Sequence, residues 1–271
     1  MLKDISIGRY YDGSSTLHRL DPRVKLILFA VYMTAVFMVS SPAGIVASFF
    51  VVSGLVALSR IPLRVIIRSV RPIIFLMIFV FAINVLTMRE GKYLVDFWII
   101  RITDIGLERA SVMTLRLFLL ITSTTLLLSL TTTPLKMADA LESLFGPLKK
   151  IRIPVHEMAM MMSIALRFIP TLVEETDKIM KAQASRGAEY DTGNVFVRAK
   201  GYASVLVPLF VSAFKRAEEL AIAMEARCYR GGEGRTKLNP LKMKISDYWW
   251  LILLGLIAFV PVFVELFWEI G

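Results

Sequence analysis

Two arginines stand at the ends of long helical stretches, each between small residues, in Ser185-Arg186-Gly187 and Ala226-Arg227-Cys228. A guanidinium is always charged and presents its donors as a planar fork. Small neighbours leave it free to enter a groove on a partner and pair bidentately with a carboxylate. Lysine would keep the charge and lose the fork. One such ending has a plainer explanation, since a cation in the last helical turn favours the macrodipole and a following glycine is an ordinary C-cap. Two in succession, on helices of matched design, favour a binding role.

Other reactive groups point away from catalysis. Glu174-Glu175 could open the Glu-Glu-x-x-x-Arg pattern of intramembrane CAAX-type proteases, but Lys178 and Ile179 stand where an arginine is required, and no histidine follows at a useful place. A Gly-rich phosphate loop ending in Gly-Lys-Ser/Thr is lacking, so the chain is not expected to bind or hydrolyse ATP itself. The single cysteine excludes an internal disulfide, and His18 and His156 are too far apart in sequence to suggest a metal cluster; no cofactor is expected. Arg116, set among Leu, Phe and Thr in an apolar stretch, has two readings. It is a functional intramembrane charge, or it snorkels to the outer interface or ties span ends together through neighbouring polar groups.

The elements that carry these residues follow from composition. The 271 residues are 56% hydrophobic with mean hydropathy +0.65, and the apolar residues gather in blocks too long and charge-free for a soluble core. This is an integral membrane protein of the all-α class. From Leu26 to Ser59 no residue is charged, and Ser40-Ser41-Pro42-Ala43-Gly44 breaks the run into a hairpin of two spans. Arg60, Arg64, Arg68 and Arg71 follow with no acid among them, which places that end, and with it the amino terminus, on the cytoplasmic side. A third span is expected from Pro72 to Met88. An outer loop, Arg89 to Asp104, has balanced charge, and a fourth span runs from Leu107 to Leu130. The last, Tyr248 to Phe267, opens on Tyr248-Trp249-Trp250, follows Lys237, Lys242 and Lys244, and is closed by Glu265 and Glu269. It therefore runs outward and leaves the carboxyl terminus outside.

Three regions result: 1–130 with four transmembrane helices, 131–246 on the cytoplasmic side, and 247–271 as a fifth transmembrane helix. The internal region holds 18 bases and 12 acids between Pro134 and Ser246, too much charge to cross a bilayer cheaply. It begins with a short amphipathic helix capped at Thr133-Pro134 and ended by Gly146-Pro147. Two long helical runs follow, each bent by a mid-run proline, Pro170 or Pro208. Counted from those prolines, the arginine tips project about 24 and 28 Å. Met158, Met160, Met161 and Met162 enter on the first run. Methionine suits surfaces that accept several partners, and a methionine-rich membrane-facing core explains the same residues equally well. The net charge of +10 lacks interleaved aromatics and so suggests anionic lipid or acidic partners, not nucleic acid.

Four segments give the chain a family resemblance: Leu17-His18-Arg19-Leu20-Asp21-Pro22-Arg23-Val24-Lys25-Leu26, Thr132-Thr133-Pro134-Leu135, Ile164-Ala165-Leu166-Arg167-Phe168-Ile169-Pro170, and the paired arginine endings. In this order on five spans the chain resembles the T component (EcfT) of energy-coupling factor transporters, prokaryotic vitamin and metal-ion importers of the ABC type. The family ending is Ala-Arg-Gly; here Ser185 replaces the first alanine and Cys228 the second glycine. The resemblance implies a non-catalytic scaffold in the prokaryotic cell (inner) membrane. Arg186 and Arg227 would each dock in one of two cytoplasmic ATPases, and the apolar faces that include the four methionines would meet a membrane-embedded substrate-binding (S) subunit. A self-contained secondary transporter is the alternative. It would need internal repeats and mid-membrane polar residues, for which Asn84 and Arg116 are almost the only candidates.

Overall fold

The computed structural model describes residues 10–88, 90, 92–97, 100–190, 194–231 and 241–270. Lys237 and Arg89, both used above to argue orientation, and the start of the amino-terminal segment at 1–9 lie outside the described residues. The chain separates into two compact units, 8–140 with 241–271, and 141–240. The fold is helical as expected, with one addition: a two-stranded antiparallel hairpin, β1 (Tyr93–Phe97) and β2 (Ile100–Thr103), within the stretch expected as an outer loop.

In the first unit a single turn, α1 (Thr16–Arg19), precedes α2 (Pro22–Met38). Asp21 caps α2 by accepting the Arg23 N–H at 2.9 Å, and Pro22 fills the first helical position, where no N–H is needed. The same devices start α3 (Pro42–Ser59): Ser41 Oγ accepts from Gly44 N at 3.1 Å, with Pro42 next in line. Helix α4 (Leu63–Thr87) and α5 (Asp104–Thr124) follow, the latter capped by Thr103 and widening at its end into a π-helical stretch over Thr125–Leu130. The unit closes with α9 (Ile245–Ile270), which packs on α2 and α3. Leu17, Val24, Leu126 and Leu127 are fully or almost fully buried in its core together with Leu254 of α9.

Two boundaries differ from the sequence reading. Helix α4 begins at Leu63, nine residues before the expected Pro72, and carries that proline within it. Arginine is a good helix former, so Arg64, Arg68 and Arg71 extend the helix beyond its apolar part instead of ending it. The second difference concerns which helices could cross a membrane. Among the described residues five are long and apolar enough, namely α3, α4, α5, α9 and α8 (Val195–Ala226). Helix α2, expected as the first span, has 17 residues and a length of about 26 Å, at the lower end of the spanning range. Its charge-free stretch breaks at Val39, where Ser40 and Ser41 turn the chain.

In the second unit α7 (Val155–Ala184) and α8 are the two long helices, and both continue through their internal prolines. Helix α6 (Pro134–Leu144) starts and stops where Thr133-Pro134 and Gly146-Pro147 direct, the latter passing into a short 3-10 stretch, Gly146–Ile151.

Candidate functional site

The two arginine endings have one backbone design. After α7, Ala188 N donates to Gln183 O and Gly187 N to Ala184 O, both at 3.0 Å. After α8, Tyr229 N donates to Met224 O at 3.0 Å and Cys228 N to Glu225 O at 2.8 Å. Each is the pair of 6→1 and 5→2 bonds of a Schellman cap, which satisfies the last carbonyls and requires a left-handed residue just after the arginine. Gly187 supplies it with φ +85° and Cys228 with φ +57°. Nothing lies within 4 Å of where a Cβ on Gly187 would sit, so conformation, not space, explains the glycine. At 228 a side chain is held in the same conformation, at a cost of about 1 kcal/mol. The Gly-to-Cys departure therefore keeps the cap.

Ser185, Arg186, Gly187, Ala226, Arg227 and Cys228 are all exposed. Among the described residues neither guanidinium takes part in a hydrogen bond or ion pair. The fork donors of both arginines thus face solvent. This arrangement can bind an external carboxylate and offers nothing that makes or breaks a bond.

One ion pair joins the two long helices behind these tips. Glu175 on α7 accepts from Arg216 Nη2 of α8 at 2.8 Å and from the Ser212 hydroxyl. The Ser212 hydrogen bond and the charges of Arg216 and Lys178 hold the Glu175 carboxyl below its ordinary range, against the opposing effect of burial. Glu175 was considered above only as half of a protease acid pair; it is the junction of the two long helices. Arg186 follows Glu175 by 11 residues, and Arg227 follows Arg216 by 11. Measured from this junction the two tips stand at equal reach, about 16 Å of helix each. The signal was present in the sequence as an acid and a base at matched distance from each ending.

The segment behind Arg186 is pinned as well. A Cβ on Gly201 would come within 2.3 Å of the Glu189 carbonyl, so only glycine permits this approach. Tyr190 and Tyr202 rings pack with centroids 5.6 Å apart, and Arg198 Nε donates to Tyr190 O at 3.1 Å. At the other end of α7, His156 Nδ1 meets Glu142 Oε1 at 2.9 Å. Met158, Met161 and Met162, at i, i+3 and i+4, are exposed and Met160 is half-buried, so within this chain the methionines are not core. Helix α8 is also rich in exposed apolar residues, Phe196, Val207, Phe210 and Phe214 among them.

In the membrane unit Lys25, Arg116 and Glu265 each find partners on their own chain. Lys25, 1% exposed, donates to Thr131 O at 2.8 Å and Thr132 Oγ1 at 3.1 Å. The first two of the four family segments therefore meet in space. Arg116 Nη2 donates to the Val39 carbonyl, while Glu265 of α9 accepts from Ser40 N at 2.8 Å, Ser41 N at 2.9 Å and the Ser41 hydroxyl. One turn between α2 and α3 is thus gripped through its carbonyl by a cation and through its amides by an anion. Of the two readings of Arg116, the geometry fits the one in which it ties span ends together.

Fold and composition together define a multi-pass helical membrane protein, whose second unit ends two long helices on exposed arginines. Comparison with known proteins gives the family. A family model for cobalt transport proteins (CbiQ) matches residues 13–238. The chain is 48% identical over 247 residues to the energy-coupling factor transporter transmembrane protein EcfT of Ruminiclostridium cellulolyticum, covering 91% of this chain and 92% of that protein. It is 47% identical to the EcfT protein of Bacillus subtilis, over 89% of this chain and 91% of the relative. With that of Thermosediminibacter oceani it shares 43% identity across 98% and 100% of the two chains. The chain belongs to the CbiQ/EcfT family, the transmembrane components of energy-coupling factor transporters.

Proposed function

We propose that this chain is the non-catalytic coupling subunit of an ATP-driven importer, in which Arg186 and Arg227 each seat in a groove of one of two cytoplasmic ATPase subunits. The observation that carries this reading is the duplication of the tip: the same cap, an exposed guanidinium without a partner among the described residues, and equal distance from the Glu175–Arg216 junction. Two motors need two handles, and a pair of levers that share one fulcrum responds when the motors approach or separate. Differential contacts in the two ATPase states would drive the motion. Pro170 and Pro208, each removing one ladder hydrogen bond, provide the places where α7 and α8 bend under load.

The exposed methionine face of α7 and the apolar residues of α8 form the surface for a membrane-embedded substrate-binding subunit, whose cargo would be a vitamin or metal ion. Residues 131–246 act as the cytoplasmic-side coupling region, between a membrane region at 1–130 and a last span at 247–271. Helix α8 meets the length and apolarity of a span, but its second half carries Lys215, Arg216, Glu218, Glu219 and Glu225. We therefore assign α2 to the membrane and α8 to the interface. The arginine-rich start of α4 faces the cytoplasm, as does the amino terminus, and the carboxyl terminus lies outside.

The test is co-purification. Arg186→Glu with Arg227→Glu is expected to leave the protein in the membrane while the ATPases are lost from it. Recovery of the double variant with both ATPases in undiminished stoichiometry rules the proposal out.

A further inference from the structure

We propose that a groove on the membrane unit, between α3 and the pair α4 and α5, holds one anionic phospholipid, with its phosphate on Arg60 and an acyl chain along α4. Two adjoining cavities of about 680 and 350 Å³ share Ile66, Ile67 and Phe118 as walls and together run from Arg60 to Phe81. The smaller is lined by apolar side chains and Thr114, and Arg60 is the one charged residue lining the larger. The groove is therefore amphiphilic along its length, cationic at one end and hydrocarbon-like towards the other.

Two further observations point to a ligand and not to a bare lipid-facing surface. Thr122 lines the larger cavity, is 3% exposed, and its hydroxyl has no hydrogen-bond partner. Its neighbour Thr124 satisfies its own hydroxyl on the Leu120 carbonyl, so the local helix does not forbid pairing. A buried orphan hydroxyl in the wall of the same cavity as Arg60 suits the ester carbonyl of a lipid whose phosphate is on the arginine. Arg60 itself is exposed, terminates α3 in the left-handed region at φ +53°, and makes no ion pair among the described residues.

Charge and length settle the occupant. Arg64, Arg68 and Arg71 follow Arg60 in sequence, and no acid occurs between Arg60 and Arg71. Such a mouth attracts an anion and gives a zwitterionic headgroup little advantage. From Leu63 to Phe81 the helix rises about 27 Å, close to a bilayer's hydrocarbon thickness of about 30 Å. The groove therefore exceeds the roughly 15 Å that one chain needs to reach the midplane from a headgroup at Arg60. A partner helix would fill the apolar part and leave the Thr122 hydroxyl unpaired.

Native mass spectrometry of the purified full chain tests this with phosphatidylglycerol, phosphatidylcholine of the same chains, and oleate. Wild type should retain one phosphatidylglycerol, at least fivefold more tightly than phosphatidylcholine. Arg60→Asn, chosen because asparagine tolerates the left-handed backbone, should weaken phosphatidylglycerol five- to tenfold, and Ile67→Trp should block it by filling the groove. Thermal unfolding without added lipid separates folding from binding, and Arg60→Asn decides alone if Ile67→Trp does not fold. Equal retention of the two phospholipids, retention unchanged in Arg60→Asn, oleate bound as tightly as phosphatidylglycerol, or a second copy of the chain displacing the lipid would each overturn the assignment.

Discussion

The enclosed charges of the membrane unit and the tip charges of the long-helix unit are treated in opposite ways. In the first, Lys25, Arg116 and Glu265 are enclosed and each finds a partner on its own chain, at Thr131 and Thr132, at Val39, and at Ser40 and Ser41. In the second, Arg186 and Arg227 are extended on capped helix ends and left unpaired, while Glu175 and Arg216 are spent on the junction between them. Buried ions must be matched internally, because an enclosed unpaired charge costs several kcal/mol. Exposed ions at a tip need no such match and are available to another protein. Placement of charge, and not its amount, separates the part that holds the fold from the part that makes contacts.

The largest effect expected from breaking this contrast is at the tips. Reversing both arginines should reduce ATPase association by at least about 100-fold, as hot-spot arginines at interfaces do. Either single reversal should leave a complex with one ATPase, visible as a step in native mass.

Next in size is the knot on the α2–α3 turn. Glu265→Ala leaves three donors without their acceptor and the Arg116 cation without its neighbouring anion. It should destabilise the membrane unit by about 2–3 kcal/mol, read as an earlier unfolding transition in detergent. Glu265→Gln should lose less. ATPase binding per folded molecule should stay unchanged, and a specific loss of binding here would break the separation between the two units.

A smaller gain is expected at the second tip. Cys228→Gly relieves the left-handed side chain, worth about 1–2 kcal/mol, against about 0.5–1 kcal/mol of added chain entropy. The net is a stabilisation of about 0–1.5 kcal/mol, measurable as slower amide exchange at Tyr229.

The smallest effect concerns pH. The Glu175 carboxyl is held below its ordinary value, chiefly by the Ser212 hydroxyl and against the opposing effect of burial. Its contribution is therefore complete above the ordinary glutamate range and is lost as pH falls through the depressed folded value. The α7–α8 junction should loosen only in acid, below about pH 4.3. Glu175→Gln should abolish that dependence, while amide exchange near neutral pH changes by less than about 1 kcal/mol.

Much of this was legible before any fold was known, and particular residues explain why. Ser41-Pro42, Asp21-Pro22 and Thr133-Pro134 each announce a helix start through local hydrogen bonding. Ser185-Arg186-Gly187 announces its own cap. What the sequence missed was non-local or overridden. Pro72 read as a boundary became the interior of α4, since a helix already extended through arginines tolerates one lost bond. Helix α8 combines an apolar first half with a charged second half, so composition alone could not assign it.

The sequence by itself determined that the chain is helical, membrane-embedded, and ends two long helices on accessible arginines, because hydropathy, capping chemistry and guanidinium geometry act over a few residues. Only tertiary structure decided that Glu175 pairs with Arg216 between α7 and α8. It alone decided that Arg116 and Glu265 close on one turn and that Lys25 reaches Thr131. Those pairings join residues 41 to 225 positions apart, and a charge does not carry the identity of its partner in its own neighbourhood.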